Sequence, residues 1–157
     1  MTIHSRTGAY PGAVDEPRPQ RDPSPLSAAL DRVGDRWTLL VVEALLDGPR
    51  RFGDLQEQVA GIAPNVLTQR LRHLEREALV VARPYSRRPP RFAYELTDSG
   101  AELAGALRLL ADWGARQSEH VDSLRHEPCG TVIEARWWCP ACELVVDEDE
   151  ASDAELV

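Results

Sequence analysis

The stretch "RRFGDLQEQVAGIAPNVLTQRLRHLEREALV", residues 50–80, constrains this chain more than any other. Phe52, Leu55 and Val59 recur at helical spacing, and the pattern stops at Gly61. Pro64 suits the first position of a second helix, where a backbone N–H has no intrahelical partner to lose. Leu67, Leu71, Leu74 and Ala78 then lie along one apolar stripe. A short helix, a tight turn and a longer helix form a helix-turn-helix pattern.

The flanks extend this pattern. Leu26, Leu30, Val33 and Trp37 are spaced helically, with a break expected at Gly34-Asp35. "WTLLVVEALL", Trp37 to Leu46, is apolar nearly all round and predicts a central buried helix, stopped by Asp47-Gly48-Pro49. Beyond the helix pair, Val80 to Tyr85 and Phe92 to Leu96 are β-type runs. Between them Ser86-Arg-Arg-Pro-Pro90 is expected to form a hairpin tip. Thr97 or Asp98 is expected to cap a long helix, with a capping box from Ser99 to Glu102. Leu103, Leu107, Leu110, Trp113, Val121 and Leu124 mark its apolar face, so it is expected to run close to Leu124. The fold class read from this order is mainly α with a small β-hairpin wing, a winged helix-turn-helix.

Charge first argues against nucleic acid and then for it. The formal net charge is -8, yet residues 126–157 alone hold nine acidic side chains against one arginine. Every basic residue is arginine, and Arg50 to Arg91 holds nine of them against four acids. Contact with phosphate follows local charge, not the global sum.

With Leu67 at the centre of the buried stripe, Asn65, Gln69, Arg72 and Arg76 fall within about 40° of the opposite helix face. Thr68 and His73 flank them. Gln and Asn match adenine edges, Arg matches guanine, and a Thr methyl suits the thymine methyl. An ordinary solvated helix face is the competing explanation, and its weight falls because the face follows a tight turn and precedes an arginine-tipped hairpin. Arg87, Arg88 and Arg91 on that proline-stiffened tip can reach phosphate or a narrow minor groove. The rival there is a solvated charge cluster. Arg50 and Arg51 are candidate phosphate contacts. Arg70 and His73 can equally be packing or salt-bridging residues.

Residues Pro25 to about Gly114 resemble the HxlR-type winged helix-turn-helix transcriptional regulators. The resemblance rests on "PLSAALDRVGDRWTLLVVEALLDGPRRFGDLQ", "GIAPNVLTQRLRHLEREALV", "PPRFAYELTDSG" and "LADWG". It implies a homodimer built from the N-terminal and long C-terminal helices, bound to a palindromic operator. It also implies a recognition helix in the major groove, with the hairpin as wing. Two positions depart from the family pattern. Ser24 stands where members often carry a redox-sensing cysteine, and a hydroxyl cannot do that chemistry. Ala63 stands where a serine commonly precedes the proline, so a helix cap of about 1 kcal/mol is missing unless another group supplies it.

All three cysteines lie in "HEPCGTVIEARWWCPAC". His126 and Cys129, then Cys139 and Cys142, form two close pairs with structural-zinc spacing. Gly130 suits a tight turn after Cys129, and "TVIEARWW" can make a small hairpin. The expectation is a zinc-ribbon-like module with a closed, structural Zn(2+) site. Zinc ribbons also occur as C-terminal additions in proteins that resemble this one. A redox-active CxxC and incidental cysteines are the alternatives, and His120 is the alternative fourth ligand. Trp137 and Trp138 are expected to pack this small module.

The domain reading is an unstructured arm over residues 1–24, a DNA-binding and dimerisation domain over 25–124, the module over 125–146 and an acidic tail over 147–157. No phosphate-binding glycine loop, nucleophile elbow or open metal site is present, so catalysis is not expected. No membrane span or signal peptide is read, which points to the cytoplasm. The expected function is a sequence-specific DNA-binding regulator, a repressor acting as a homodimer on double-stranded DNA. Two alternatives stand beside it. One is a winged-helix plus zinc-ribbon protein-interaction module of the transcription machinery. The other is a regulator sensing a small-molecule effector in a pocket between the long helices, near Trp37 and Trp113.

Overall fold

The computed structural model describes residues 24–119 and 121–146. The arm expected over residues 1–24, Ser24 apart, and the acidic tail expected over 147–157 lie outside the described residues. The fold is mainly α-helical with small antiparallel hairpins.

Helix α1 spans Pro25–Val33 and α2 spans Arg36–Leu45. Ser24, at the position where a thiol was sought, is the cap of α1: its Oγ accepts from the Ser27 N–H at 3.1 Å. The Gly34-Asp35 break forms as expected. The Asp35 carboxylate accepts from the N–H groups of Trp37 and Thr38 at 3.0 and 3.2 Å, starting α2. Val41, Val42 and Leu45 of α2 are at most 1% exposed. The helix is not enclosed all round, however. Leu40 and Glu43 face solvent, because α3, α4 and α6 cover only part of its circumference.

A two-residue strand, β1 (Arg50–Arg51), leads into α3 (Phe52–Gln58). Gly61 then turns the chain at φ +80°, a left-handed conformation that a side chain resists. Helix α4, Pro64–Arg76, follows with Ala63 as its N-cap and no side chain capping it, so the missing cap is not replaced. Leu67, Leu71 and Leu74 are at most 2% exposed and form the centre of the core with α2 and Leu55. Truncating any of them to alanine costs about 2–5 kcal/mol. Ala78 is not part of the stripe. It lies past the helix end at φ +56°, exposed, while Leu79 N–H closes the turn onto the Leu74 carbonyl at 2.9 Å.

Strands β2 (Val80–Arg87) and β3 (Pro90–Leu96) form an antiparallel hairpin, and β1 adds to the other edge of β3. Both strands run further than the prolines suggested. Ser86 pairs with Arg91 and Arg87 with Pro90, after a register shift near Pro84, so only Arg88 and Pro89 form the tip. Thr97 caps the next segment, accepting from the Gly100 N–H at 3.1 Å and donating to the Ala78 carbonyl at 2.7 Å. This cap takes the place of the expected Ser99–Glu102 box. The helical stretch is divided into α5 (Asp98–Ala101) and α6 (Leu103–Arg116). It stops well before Leu124, closed by Gln117 and Ser118 N–H groups bonding three residues back.

Beyond α6, Arg125 bridges to Val132, and β4 (Trp137–Cys139) pairs with β5 (Leu144–Val146). Trp137 and Trp138 are 60% and 58% exposed, so they do not pack this segment as the sequence suggested. A two-stranded hairpin has no second layer under which to bury two indoles.

Candidate nucleic-acid interface

Burial of Leu67, Leu71 and Leu74 fixes which way α4 faces. Asn65, Gln69, Arg72 and Arg76 are consequently all exposed on the opposite side. The sequence-derived face is thus physically available. Thr68 is half-buried, and its hydroxyl donates to the Pro64 carbonyl at 2.8 Å, which leaves the methyl as its outward chemistry. The two flanking residues left open by the sequence are used internally. His73 Nε2 lies 2.6 Å from the Arg32 carbonyl, which can only accept, so Nε2 carries the proton. The Arg70 guanidinium sits 3.6 Å from the Asp35 carboxylate that caps α2.

The hairpin places Arg87, Arg88 and Arg91 together at its exposed end. Ser86 Oγ donates to the Pro89 carbonyl at 3.0 Å across this tip. Among the described residues, ion pairs take up Arg32, Arg50, Arg70, Arg83, Arg116 and Arg136. Arg72, Arg76, Arg87, Arg88 and Arg91 are in none of them. The arginines without a carboxylate partner include every arginine expected on the reading face and the wing.

Arg50 and Arg51 are more restricted than a pair of phosphate contacts would be. Their backbone is in β1, paired with Tyr94 and Ala93. Arg50 is half-buried with its guanidinium 3.8 Å from Asp47, whereas Arg51 is exposed and stacks at 4.5 Å over the Tyr85 ring. Tyr85 and Phe92 are themselves exposed on the hairpin, beside Arg51 and Arg91 in a shallow groove. Sequence reasoning assigned these aromatics only to strands. Their alternation with arginine was the available signal.

The metal expectation fails. Among the described residues, no group of three or more His, Cys, Asp or Glu side chains is placed to hold a metal ion. The described residues thus form no structural zinc site, and nothing in them supports a zinc ribbon. The two pairs each form, but they do not converge. His126 and Cys129 share one turn, Nδ1 to Sγ 3.3 Å, closed by the Cys129 and Gly130 N–H groups on the His126 carbonyl. Cys139 and Cys142 share the separate β4–β5 turn. There the Cys142 and Ala141 N–H groups hold the Cys139 thiol below its usual range, and the hydrogen bond with Cys139 pushes Cys142 up. Each pair satisfies itself locally, so nothing draws four ligands to one centre. His120, the alternative ligand, lies outside the described residues.

A short helix, a left-handed turn, an outward-facing second helix and an arginine-tipped hairpin define the winged helix-turn-helix class. Comparison with known proteins carries this further. The HxlR-like helix-turn-helix family matches residues 32–122, and the chain belongs to it. The HTH-type transcriptional regulator Rv3095 of Mycobacterium tuberculosis is 38% identical over 118 residues, spanning 73% of this chain and 74% of that one. Among solved structures, the redox regulator HypR in its reduced form aligns with TM-score 0.58 and 29% identity, over 61% of this chain and 95% of HypR. Reduced YodB of Bacillus subtilis, a transcriptional regulator, aligns with TM-score 0.53 and 28% identity, over 63% and 97% of the two chains. The relatives matched are transcriptional regulators, a family not known for enzymes. Among the described residues no helix is long and apolar enough to cross a membrane.

Proposed function

We propose that the protein is a cytoplasmic repressor that binds a palindromic operator as a homodimer. Asn65, Thr68, Gln69, Arg72 and Arg76 read base edges in the major groove. Arg87, Arg88 and Arg91 hold the flanking backbone, with Arg51 beside them and Arg50 more as a support than a contact. The observation that carries this reading is the coincidence of exposed base-reading side chains on α4 with wing arginines that have no carboxylate partner. Such arginines keep their full charge available for phosphate, and each neutralised phosphate adds to the salt dependence of binding.

Dimerisation is supported by apolar surface that the fold leaves bare. Leu26 and Leu30 of α1 are 67% and 52% exposed, and Leu110 and Trp113 of α6 are 52% and 56% exposed. Leu107 and Leu103, about one and two turns before Leu110 on α6, pack against the core instead. A helix whose apolar side continues past its own core is suited to a second copy. The test is genomic footprinting followed by titration of the recovered site against scrambled duplex. Equal affinity for both would remove the claim of sequence-specific reading. A sedimentation measurement giving a monomer that shifts no duplex would instead favour a protein-interaction module.

A small-molecule effector is the second reading. It is favoured by an open groove between α6 and the C-terminal hairpin, lined by Leu109, Val132, Ile133, Trp137 and Val145. The pocket expected near Trp37 and Trp113 is less supported, since Trp37 packs on the core while Trp113 is exposed.

A further inference from the structure

One arginine outside the helix-turn-helix and the wing also has no carboxylate partner. Arg36 opens α2, is exposed, and is in none of the ion pairs among the described residues. Its guanidinium lies 4.2 Å from the centroid of the Trp37 ring. The edge of that ring in turn rests on the turn between α3 and α4, 3.9 Å from where a Cβ on Gly61 would be. Helix stability does not ask for a cation at this position. The N-terminal end of a helix carries partial positive charge and disfavours one. The neighbouring Asp35 carboxylate is occupied by the Trp37 and Thr38 N–H groups and by Arg70.

The packing of α4 places this charge. With Leu67 at the centre of the buried stripe, Arg70 and His73 lie about 60° and 120° to one side at 100° per residue. Thr68, Arg72 and Glu75 lie about 80–140° to the other side. The first flank is bound to the α1–α2 junction, Arg70 to Asp35 and His73 to Arg32. The second faces the wing sheet, where Tyr94 feels the charges of Glu75 and Arg72. Arg36 and the wing thus stand on opposite flanks of α4, with Asn65, Gln69 and Arg76 exposed between them. A helix about 10–12 Å across fills a major groove about 12 Å wide, so its two flanks meet the phosphates of different strands.

We propose that Arg36 is a phosphate contact on the strand that the wing does not hold, so that each subunit grips both sides of the groove it reads. This rests on the DNA-binding reading of α4 and adds to it a residue remote from that helix in sequence. The stack on Trp37 suits the role. A guanidinium over an aromatic face keeps its N–H donors available at its edge, where phosphate oxygens accept them in pairs. The ring also holds a long side chain in place before binding, which lowers the entropy lost on contact. A backbone contact carries no base information, and its effect is to fix the register of α4 in the groove.

The test is Arg36→Gln in the full chain, beside Arg36→Lys, which keeps the charge. Arg36→Gln should melt like the parent, because the side chain is exposed and the α2 cap belongs to Asp35. It should bind the footprinted site and random duplex more weakly, with the salt slope lower by about two for the dimer, one for each subunit. Between about 50 and 200 mM salt the parent should therefore lose about tenfold more affinity than Arg36→Gln. Arg36→Lys should keep the parent slope. Phosphate-ethylation interference reads the contact directly. With Arg36→Gln, one phosphate per half-site should cease to matter, on the strand opposite those silenced by Arg87→Ala with Arg88→Ala. An unchanged slope or an unchanged ethylation pattern would overturn the contact and leave the DNA reading in place. A silenced phosphate on the wing's own strand would overturn the two-flank arrangement. A parent chain that shifts no duplex would overturn both the contact and the reading it rests on.

Discussion

Arg32 on α1 grips Glu77 at the end of α4 twice: Nε donates to the carboxylate at 2.8 Å, and the terminal nitrogen donates to the Glu77 backbone carbonyl at 3.0 Å. His73 closes the loop by donating to the Arg32 carbonyl. The helix proposed to join two subunits is thereby tied to the last turn of the helix proposed to read DNA. Bonds to the last carbonyls of a helix also satisfy groups that the helix itself leaves open.

This tie has a pH signature. The hydrogen bond from Arg32 holds the Glu77 carboxyl below its usual 4.5. A depressed carboxyl contributes stability above its unfolded value and loses it as pH falls through the folded one. Glu77→Gln should therefore be less stable than the parent near neutral pH, with the difference shrinking as pH falls below the usual carboxylate range. Thermal melts across that range check this, and a constant difference at all pH values would discount the ion pair.

Arg72 and the wing arginines should fail in different ways. Arg72→Ala is expected to cost about 1–3 kcal/mol against the preferred base and to relax specificity at that position. Arg87→Ala with Arg88→Ala should weaken operator and random duplex alike and lower the salt slope by about four for the dimer, two for each subunit. Fluorescence anisotropy over a salt series separates these outcomes. A double wing variant with unchanged affinity and slope would show that the wing does not touch the backbone.

Exposed Leu110 and Trp113 predict the assembly. Leu110→Glu with Trp113→Ser should leave the fold intact, because neither side chain is in the core, and should yield a monomer in sedimentation equilibrium. Operator affinity should fall with it. A variant that sediments like the parent would place the dimer contact elsewhere.

Gly100 should tolerate no side chain. A Cβ there would sit 2.1 Å from the Leu79 carbonyl oxygen, which is backbone and anchored by the Thr97 N–H at 3.0 Å. Gly100→Ala should cost about 1–3 kcal/mol through forced displacement. Gly105→Ala on α6, where nothing lies within 4 Å of the added carbon, should be neutral or stabilising. Equal denaturation midpoints for the two variants would refute the close approach.

Local periodicity was enough to reveal the helices around Leu30, Val41, Leu55 and Leu71 and the outward face of Asn65, Gln69, Arg72 and Arg76. Each depends on spacing within one helix, which a linear chain carries directly. The break at Gly34-Asp35 and the uncapped Ala63 are likewise short-range. What depended on distant neighbours was not legible. Strand β1 is two residues long and exists only because β3 lies beside it. The exposure of Leu40, Trp137 and Trp138 reflects elements that do not cover them. The cysteine pairs show the limit most plainly. Ligand spacing describes each turn, but a metal centre requires two turns to meet in space, and in this fold they do not. Tertiary structure also decided which arginines lost their freedom to a carboxylate, since Asp35 meets Arg70 and Glu77 meets Arg32 only after the helices pack.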